Sequence, residues 1–158
     1  MSGSGFTHLD SEGAARMVDV SAKDVTVRTA TASGRVLVSG AVVAALRAGD
    51  VPKGDALAVA RLAGIMGAKK TPDLIPLCHP LALHGVDVSL TVLDDAVGVV
   101  VTVRTADRTG VEMEALTAVA TAALTVVDMV KSIDKGAVIS DIRLEEKTGG
   151  KSGTWRRA

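Results

Sequence analysis

From Ala115 to Val127 the chain reads ALTAVATAALTVV, with no charged residue and threonine as its only polar side chain. A helix that is apolar or small on every face has to be covered on every face, so the other elements must wrap around it. Thr109 and Glu112 form a capping-box pattern ahead of this run, and the helix is expected to continue to about Asp134. The uncharged run falls short of the ~20 apolar residues that a membrane span needs, so it is expected as a core helix rather than a membrane one. Phe6 and Trp155 are the only aromatic residues. The core must therefore be built from Val, Leu, Ile, Met and Ala, and such small side chains let helices approach closely.

The remaining segments supply the cover. Val25–Val38 is rich in Val and Thr and reads as a strand, with Gly34 marking a bulge or bend. Ser39 is a plausible N-cap for a short helix through Ala48, which Gly49 ends. Pro52–Asp55 opens a second helix to about Lys69, whose Ala56, Ala60, Ala63, Gly64 and Gly67 suggest tight packing. Thr71–Leu81 holds three of the four prolines and reads as a stiff, extended loop. Val86, Val88, Leu90 and Val92 alternate with polar residues, Asp94-Asp95 makes a turn, and Val97, Val99, Val101 and Val103 follow, giving a hairpin. Val138–Glu145 alternates again, with Val138, Ile142 and Leu144 on one face. This order predicts an α+β fold, the ferredoxin-like βαββαβ sandwich with an antiparallel sheet covered by helices. Residues 25–147 are expected as one domain, between a flexible N-terminal arm (1–24) and a Gly-rich C-terminal tail (148–158).

Lys+Arg and Asp+Glu each total 18, so no global field exists to hold nucleic acid, and any anion site must be local. Cys78 is the only cysteine, which excludes an internal disulfide and suits a reducing compartment. Met1–Thr7 has no apolar h-region and does not read as a signal peptide. A cytoplasmic protein without membrane contact is expected.

Several constellations can carry chemistry. His79 is locked before Pro80 in the proline-rich loop; it is either a histidine satisfied by a backbone partner or a preorganised imidazole facing a ligand. Cys78 and His79 have no partners at metal-ligand spacing, so no metal site is expected. Glu112 and Glu114 lie in the first turn of the long helix, where the dipole favours carboxylates. Glu112 is explained by capping; Glu114 needs another partner. Asp128 and Lys131, three residues apart on one face, read either as an acid/base pair with Asp128 partly desolvated or as a helix-end ion pair. Lys53, near a helix start, is a candidate for phosphate binding, while Lys69, Lys70, Arg104 and Arg108 are weaker cationic candidates. Gly149–Ser152 superficially resembles a P-loop, but Glu145 stands where a glycine is required and no helix follows. Glu114 and Asp128 are about 21 Å apart along a straight helix. If both serve one small-molecule site, that site must be shared between subunits, so a homo-oligomer is expected.

Over nearly its full length the chain resembles the molybdenum-cofactor biosynthesis protein C (MoaC) family. The resemblance rests on Met17–Ser21, Lys53-Gly54-Asp55, Asp73–Leu81, Thr109–Leu116, Asp128–Lys131 and Gly149–Gly153. It implies a ferredoxin-like fold and a hexamer built as a trimer of dimers. It also implies a cyclic pyranopterin monophosphate synthase, a lyase that converts the GTP-derived 3′,8-cyclo-7,8-dihydro-GTP and releases diphosphate. No cofactor is implied, with Mg²⁺ beside the triphosphate left open. By position, Asp128 and Lys131 match catalytic residues; Leu77, Cys78, His79, Met113 and Glu114 match substrate-binding segments; and Lys53 matches a phosphate-binding lysine. Lys69 and Arg108 are the expected companions of Lys53 at the triphosphate. Pro72 departs from the family's frequent Trp. Two further readings stand beside this one: a non-catalytic nucleotide-binding homo-oligomer and a purely structural assembly protein.

Overall fold

A computed structural model describes residues 7–158; residues 1–6 of the expected N-terminal arm lie outside the described residues. Eight elements follow in order: β1 (Thr26–Leu37), α1 (Gly40–Ala48), α2 (Ala56–Leu74), β2 (Leu83–Val92), β3 (Ala96–Asp107), α3 (Glu112–Val130), β4 (Val138–Thr148) and β5 (Trp155–Arg156). The sheet runs β2-β3-β1-β4-β5, with every neighbouring pair antiparallel. This is the expected ferredoxin-like α+β arrangement, extended by the short β5.

Local chemistry sets the element ends. Ser39 accepts from the Val42 amide at 3.4 Å, and Gly49, at φ 75°, closes α1 in a left-handed conformation that glycine adopts without strain. The Asp55 carboxylate accepts from Ala58 N at 3.0 Å and starts α2. Gly34 sits where the β1–β4 register shifts, and a Cβ there would lie 2.7 Å from Val119 Cγ1, so the bulge also admits α3.

The core is small-residue packing around α3. Ala115, Ala118, Val119, Ala122, Ala123 and Val126 are fully buried against Ala30, Ala32, Val36 and the inward valines of β3. α2 lies antiparallel on α3: Ala56 shares a core cluster with Met129, Ala60 with Ala123 and Val126, and Ala68 with Ala115 and Ala118. Gly64 approaches the Ala118 carbonyl and Gly67 the Thr117 carbonyl, so the stripe of small residues performs the predicted close packing.

Four expectations are corrected. α2 does not stop near Lys69 but continues through Pro72 to Leu74, so the extended loop is shorter than Thr71–Leu81. Pro72 lies in the last turn, where its missing N–H removes one i+4 bond, that to the Ala68 carbonyl, and α2 ends two residues later. The Thr71 hydroxyl donates to Gly67 O at 3.1 Å, and Ile75 N donates to Thr71 O at 2.9 Å. α3 starts at Glu112 with Val111 as N-cap and no side-chain cap, so Thr109 and Glu112 do not form the capping box. Thr109 falls two residues before the cap, and the Glu112 carboxylate folds back over Gly110 instead. In β4 the alternation breaks at Asp141, whose φ of 56° marks an inserted residue; Ile139 and Leu144 pack on the core while Val138 is exposed. Finally, α3 ends at Val130 rather than near Asp134, and by length and composition alone it could cross a membrane. Its packing against α2 and the sheet, rather than its length, marks it as a core helix.

A Cβ at Gly67 would stand 2.8 Å from Thr121 Cβ and 3.2 Å from Thr117 O, neither of which moves by a rotamer change. Alanine normally stabilises a helix interior over glycine by about 1 kcal/mol. Gly67→Ala is expected to do the opposite and destabilise by roughly 1–3 kcal/mol through overpacking. A denaturant midpoint at or above that of the parent chain would refute this close contact.

Candidate active site

α3 carries a distinct cluster at each end. At its N-terminal end a cavity of about 290 Å³ is lined by Leu77, Cys78, His79, Met113, Glu114 and Lys23, among others. The loop after α2 brings the first three residues here because α2 ends beside the start of α3. His79 Nε2 donates to the Val18 carbonyl at 2.6 Å, which assigns its proton to that nitrogen and pins the ring. Both readings of His79 therefore meet: a backbone partner satisfies it, and it lines a cavity.

Glu114 is only 3% exposed. Burial pushes its carboxyl up to about 7, with its own backbone N–H opposing and the Glu112 charge assisting. Among the described residues no cation pairs with Glu114, and the raised value favours its proton-bearing form relative to an ordinary carboxyl group. Cys78 is also raised, by burial and then by the Glu114 charge, so it is a neutral thiol and not an activated nucleophile.

At the C-terminal end Asp128 bridges two lysines. Its Oδ1 accepts from Lys131 Nζ at 2.7 Å and its Oδ2 from Lys53 Nζ at 2.9 Å. Hydrogen bonds from Lys131 and then Lys53 hold its carboxyl down at about 2. The expectation of a partly desolvated Asp128 is corrected: its side chain is 52% exposed. Met129 and Val130 take the inward positions at this end of the helix, which turns Asp128 toward solvent. Lys53 reaches Asp128 because Val51 and Ala56, on either side of it, pack against Met129.

Within one chain the two clusters do not meet, since the length of α3 separates them. Lys69 is exposed on α2 and lines neither cluster. Arg108 lies outside the cavity; its Nε donates to the Lys23 carbonyl at 3.1 Å and braces that lysine's backbone.

Sequence reasoning missed a second cleft, of about 700 Å³, lined by Lys23, Thr26, Arg28, Gly150, Lys151 and Ser152, among others. Lys23 borders both this cleft and the His79 cavity, so the two adjoin. Arg28 is fixed by donating from Nε to Asp107 O at 2.9 Å and from Nη2 to Arg108 O at 3.2 Å. The available signal was the Gly149–Ser152 run, together with an arginine in an otherwise Val/Thr-rich strand. Among the described residues no three His, Cys, Asp or Glu side chains cluster as metal ligands.

A cationic cleft joined to a cavity with a buried carboxyl group raised to about 7, in this topology, agrees with one finding from sequence comparison. The model of the MoaC family matches residues 17–150. The chain belongs to the MoaC family. A protein of Streptomyces avermitilis named cyclic pyranopterin monophosphate synthase is 73% identical over 153 residues, which cover 97% of this chain and 90% of that protein. One of Nocardioides sp. with the same name is 71% identical over 155 residues, 96% of this chain and 95% of its own length. A Mycobacterium bovis protein named cyclic pyranopterin monophosphate synthase 2 is 59% identical over 152 residues, 96% and 91% of the two chains. The MoaC match spans both ends of α3, so neither cluster is a peripheral addition to the family's common length.

Glu114 titrates near 7 in the folded chain against an ordinary value of 4.5. The unfolded chain releases this proton first, so stability falls as pH rises from about 4.5 through 7. The full effect is on the order of 3 kcal/mol. Denaturant midpoints measured across this range should show that slope, and Glu114→Gln should flatten it. An unchanged slope in the variant would mean that Glu114 is not held protonated.

Proposed function

We propose that this chain is a cyclic pyranopterin monophosphate synthase that converts 3′,8-cyclo-7,8-dihydro-GTP to cyclic pyranopterin monophosphate and releases diphosphate. The observation that carries this reading is the pairing, on one helix, of two carboxyl groups whose surroundings drive them to opposite protonation states. This occurs in a chain whose relatives at 59–73% identity bear that enzyme's name. Such a split separates an acid near neutrality from a permanent anion.

The reaction opens and recloses a ring, moves protons on the base-derived portion, and forms a cyclic phosphate as diphosphate leaves. Asp128 and Lys131 form the catalytic pair. Asp128, ionised well below neutrality, orients the Lys131 and Lys53 ammonium groups without itself taking up a proton. Lys131 carries the proton and stabilises developing negative charge. Leu77, Cys78, His79 and Met113 enclose the ring portion, and Glu114 hydrogen-bonds it as a protonated acid. Lys23, Arg28 and Lys151 hold the phosphates, with Lys53 contributing from the other cluster. Arg108 acts through the backbone of Lys23, and Lys69, exposed on α2, lines neither cluster within one chain.

One small molecule does not span the roughly 21 Å between Glu114 and Asp128. The active site is therefore completed by a second copy, whose Asp128 end meets this chain's Glu114 end. An apolar surface supports assembly: Leu62, Met66 and Leu124 are each just over 60% exposed on the helical layer, with Val59 beside them. Such a patch is typical of a protein interface. The hexamer, a trimer of dimers, is the assembly we assign. A reducing cytoplasmic setting suits the free Cys78 in the cavity.

Three measurements test this reading. Incubation with 3′,8-cyclo-7,8-dihydro-GTP should release diphosphate; binding without release would leave a nucleotide sensor instead. Lys131→Ala and Asp128→Asn should each lower turnover by about 10²–10⁴-fold while the protein still folds and assembles. Near-normal single-turnover rates in either would remove the pair from the chemistry. Mixing inactive Glu114→Ala and Lys131→Ala subunits should restore activity, because some interfaces then carry two intact halves. No recovery after confirmed subunit exchange, or full activity at monomeric mass, would place the whole site within one chain.

A further inference from the structure

The C-terminal strand has a feature that the substrate contacts do not explain. β5 is only two residues long, Trp155–Arg156, and a strand that short does not persist on backbone pairing alone. It pairs Trp155 with Lys147 and Arg156 with Glu146 on β4. Arg157, next in sequence, then fastens it. Its amide donates to Glu145 O at 2.8 Å and its Nε to Leu144 O at 2.7 Å. Its guanidinium also lies 3.8 Å from Glu145 Oε2 and 5.7 Å from the centre of the Trp155 ring. Glu145 is itself held by Ser33 and Arg143, so the anchor reaches β1 and the body of the sheet.

Between β4 and β5 runs the segment that lines the cationic cleft. Gly149, Gly150 and Gly153 all have φ between 66° and 86°, where only glycine is unstrained. A backbone with three such glycines has many alternative conformations unless both of its ends are fixed. One end leaves β4 at Thr148, where Lys147 Nζ donates to Gly149 O at 3.4 Å and to Ser152 Oγ. Among the described residues the other end is fixed by β5, whose Arg156 Nε donates to Glu146 Oε1 at 3.2 Å, and by Arg157. Gly150 is packed so closely on the Arg28 guanidinium that a Cβ there would lie 3.0 Å from its Cζ, so the seating of the loop also shapes the arginine side of the cleft.

We propose that β5, fastened by Arg157 and Trp155, is a strap that positions the Gly149–Gly153 loop for the phosphates of the substrate. Arg157 is a positioning residue that acts through the loop and not by contact with the substrate. The proposal rests on the phosphate role assigned above to the Lys23–Arg28–Lys151 cleft. Preorganisation of this kind raises affinity by lowering the ordering cost on binding. The strap therefore governs substrate binding much more than the chemical step.

Three variants carry the test: Arg157→Ala, a chain ending at Thr154, and Lys151→Ala. The probe is inorganic triphosphate, titrated calorimetrically into the assembled protein, alongside KM and kcat for the GTP-derived substrate. Loss of the strap should weaken triphosphate binding and raise KM by about tenfold, with kcat within about twofold and thermal stability nearly unchanged. Arg157→Lys, which keeps the charge but not the guanidinium geometry, should recover only part of this. In Lys151→Ala, removing the strap should cost little more, because both changes act through one loop. Unchanged triphosphate affinity in the truncated chain, or a full additive loss in the double variant, overturns the proposal. Failure of the functional reading looks different: the unmodified protein would bind triphosphate in a strap-dependent way yet release no diphosphate.

Discussion

The close antiparallel contact of α2 with α3 is the constraint on which the rest of the molecule depends. Gly64 and Gly67 let the α2 backbone come against the carbonyls of Ala118 and Thr117. Because the helices run in opposite directions, one contact places both ends at once. The start of α2 brings Lys53 to Asp128, and the end of α2 delivers Leu77, Cys78 and His79 to the cavity above Glu114. Larger side chains in the stripe would separate the helices and pull both clusters apart together. Packing and site geometry are therefore one property of this chain.

The same helix gives two of its three carboxylates opposite chemistries. Glu114 sits where α3 enters the core, nearly buried beneath the cavity, and burial pushes its carboxyl up to about 7. Asp128 sits where α3 leaves the core, and two ammonium groups keep it ionised. Neither state follows from residue type. Each is set by whether the helix turn at that point faces the core or the solvent, and by which loop passes beside it.

Much of the fold could be read from pattern. The hairpin of β2 and β3, the Ser39 and Asp55 caps, the Gly49 stop and the small-residue stripe all follow from local rules that the structure obeys. The misreadings share a cause, which is that local signals lost to tertiary context. Pro72 reads as a helix breaker, yet it is tolerated in the last turn of a helix already anchored along α3. Thr109 and Glu112 spell a cap, but the chain enters α3 two residues later. Asp141 breaks the β4 alternation with a left-handed residue that no pattern announced. At the candidate site, the residues expected from recognisable runs, Leu77, Cys78, His79, Met113 and Glu114, line one cavity, whereas Lys23 and Arg28 carried no such signal. They lie far apart from Lys151 in sequence and become one cleft only when β1 and the end of β4 are laid side by side.

By itself the sequence determined the elements through β4, their order, the apolar helix at the centre and the stiff histidine loop, because periodicity, capping and proline act over a few residues. Its long motifs also carried the likeness to the MoaC family. Only the tertiary structure decided which carboxyl group keeps its proton, which lysines bracket Asp128, and that the glycine-rich tail belongs to a cationic cleft. Those outcomes depend on burial and on charges that meet across tens of residues, and no local rule encodes desolvation or a partner that arrives from another strand.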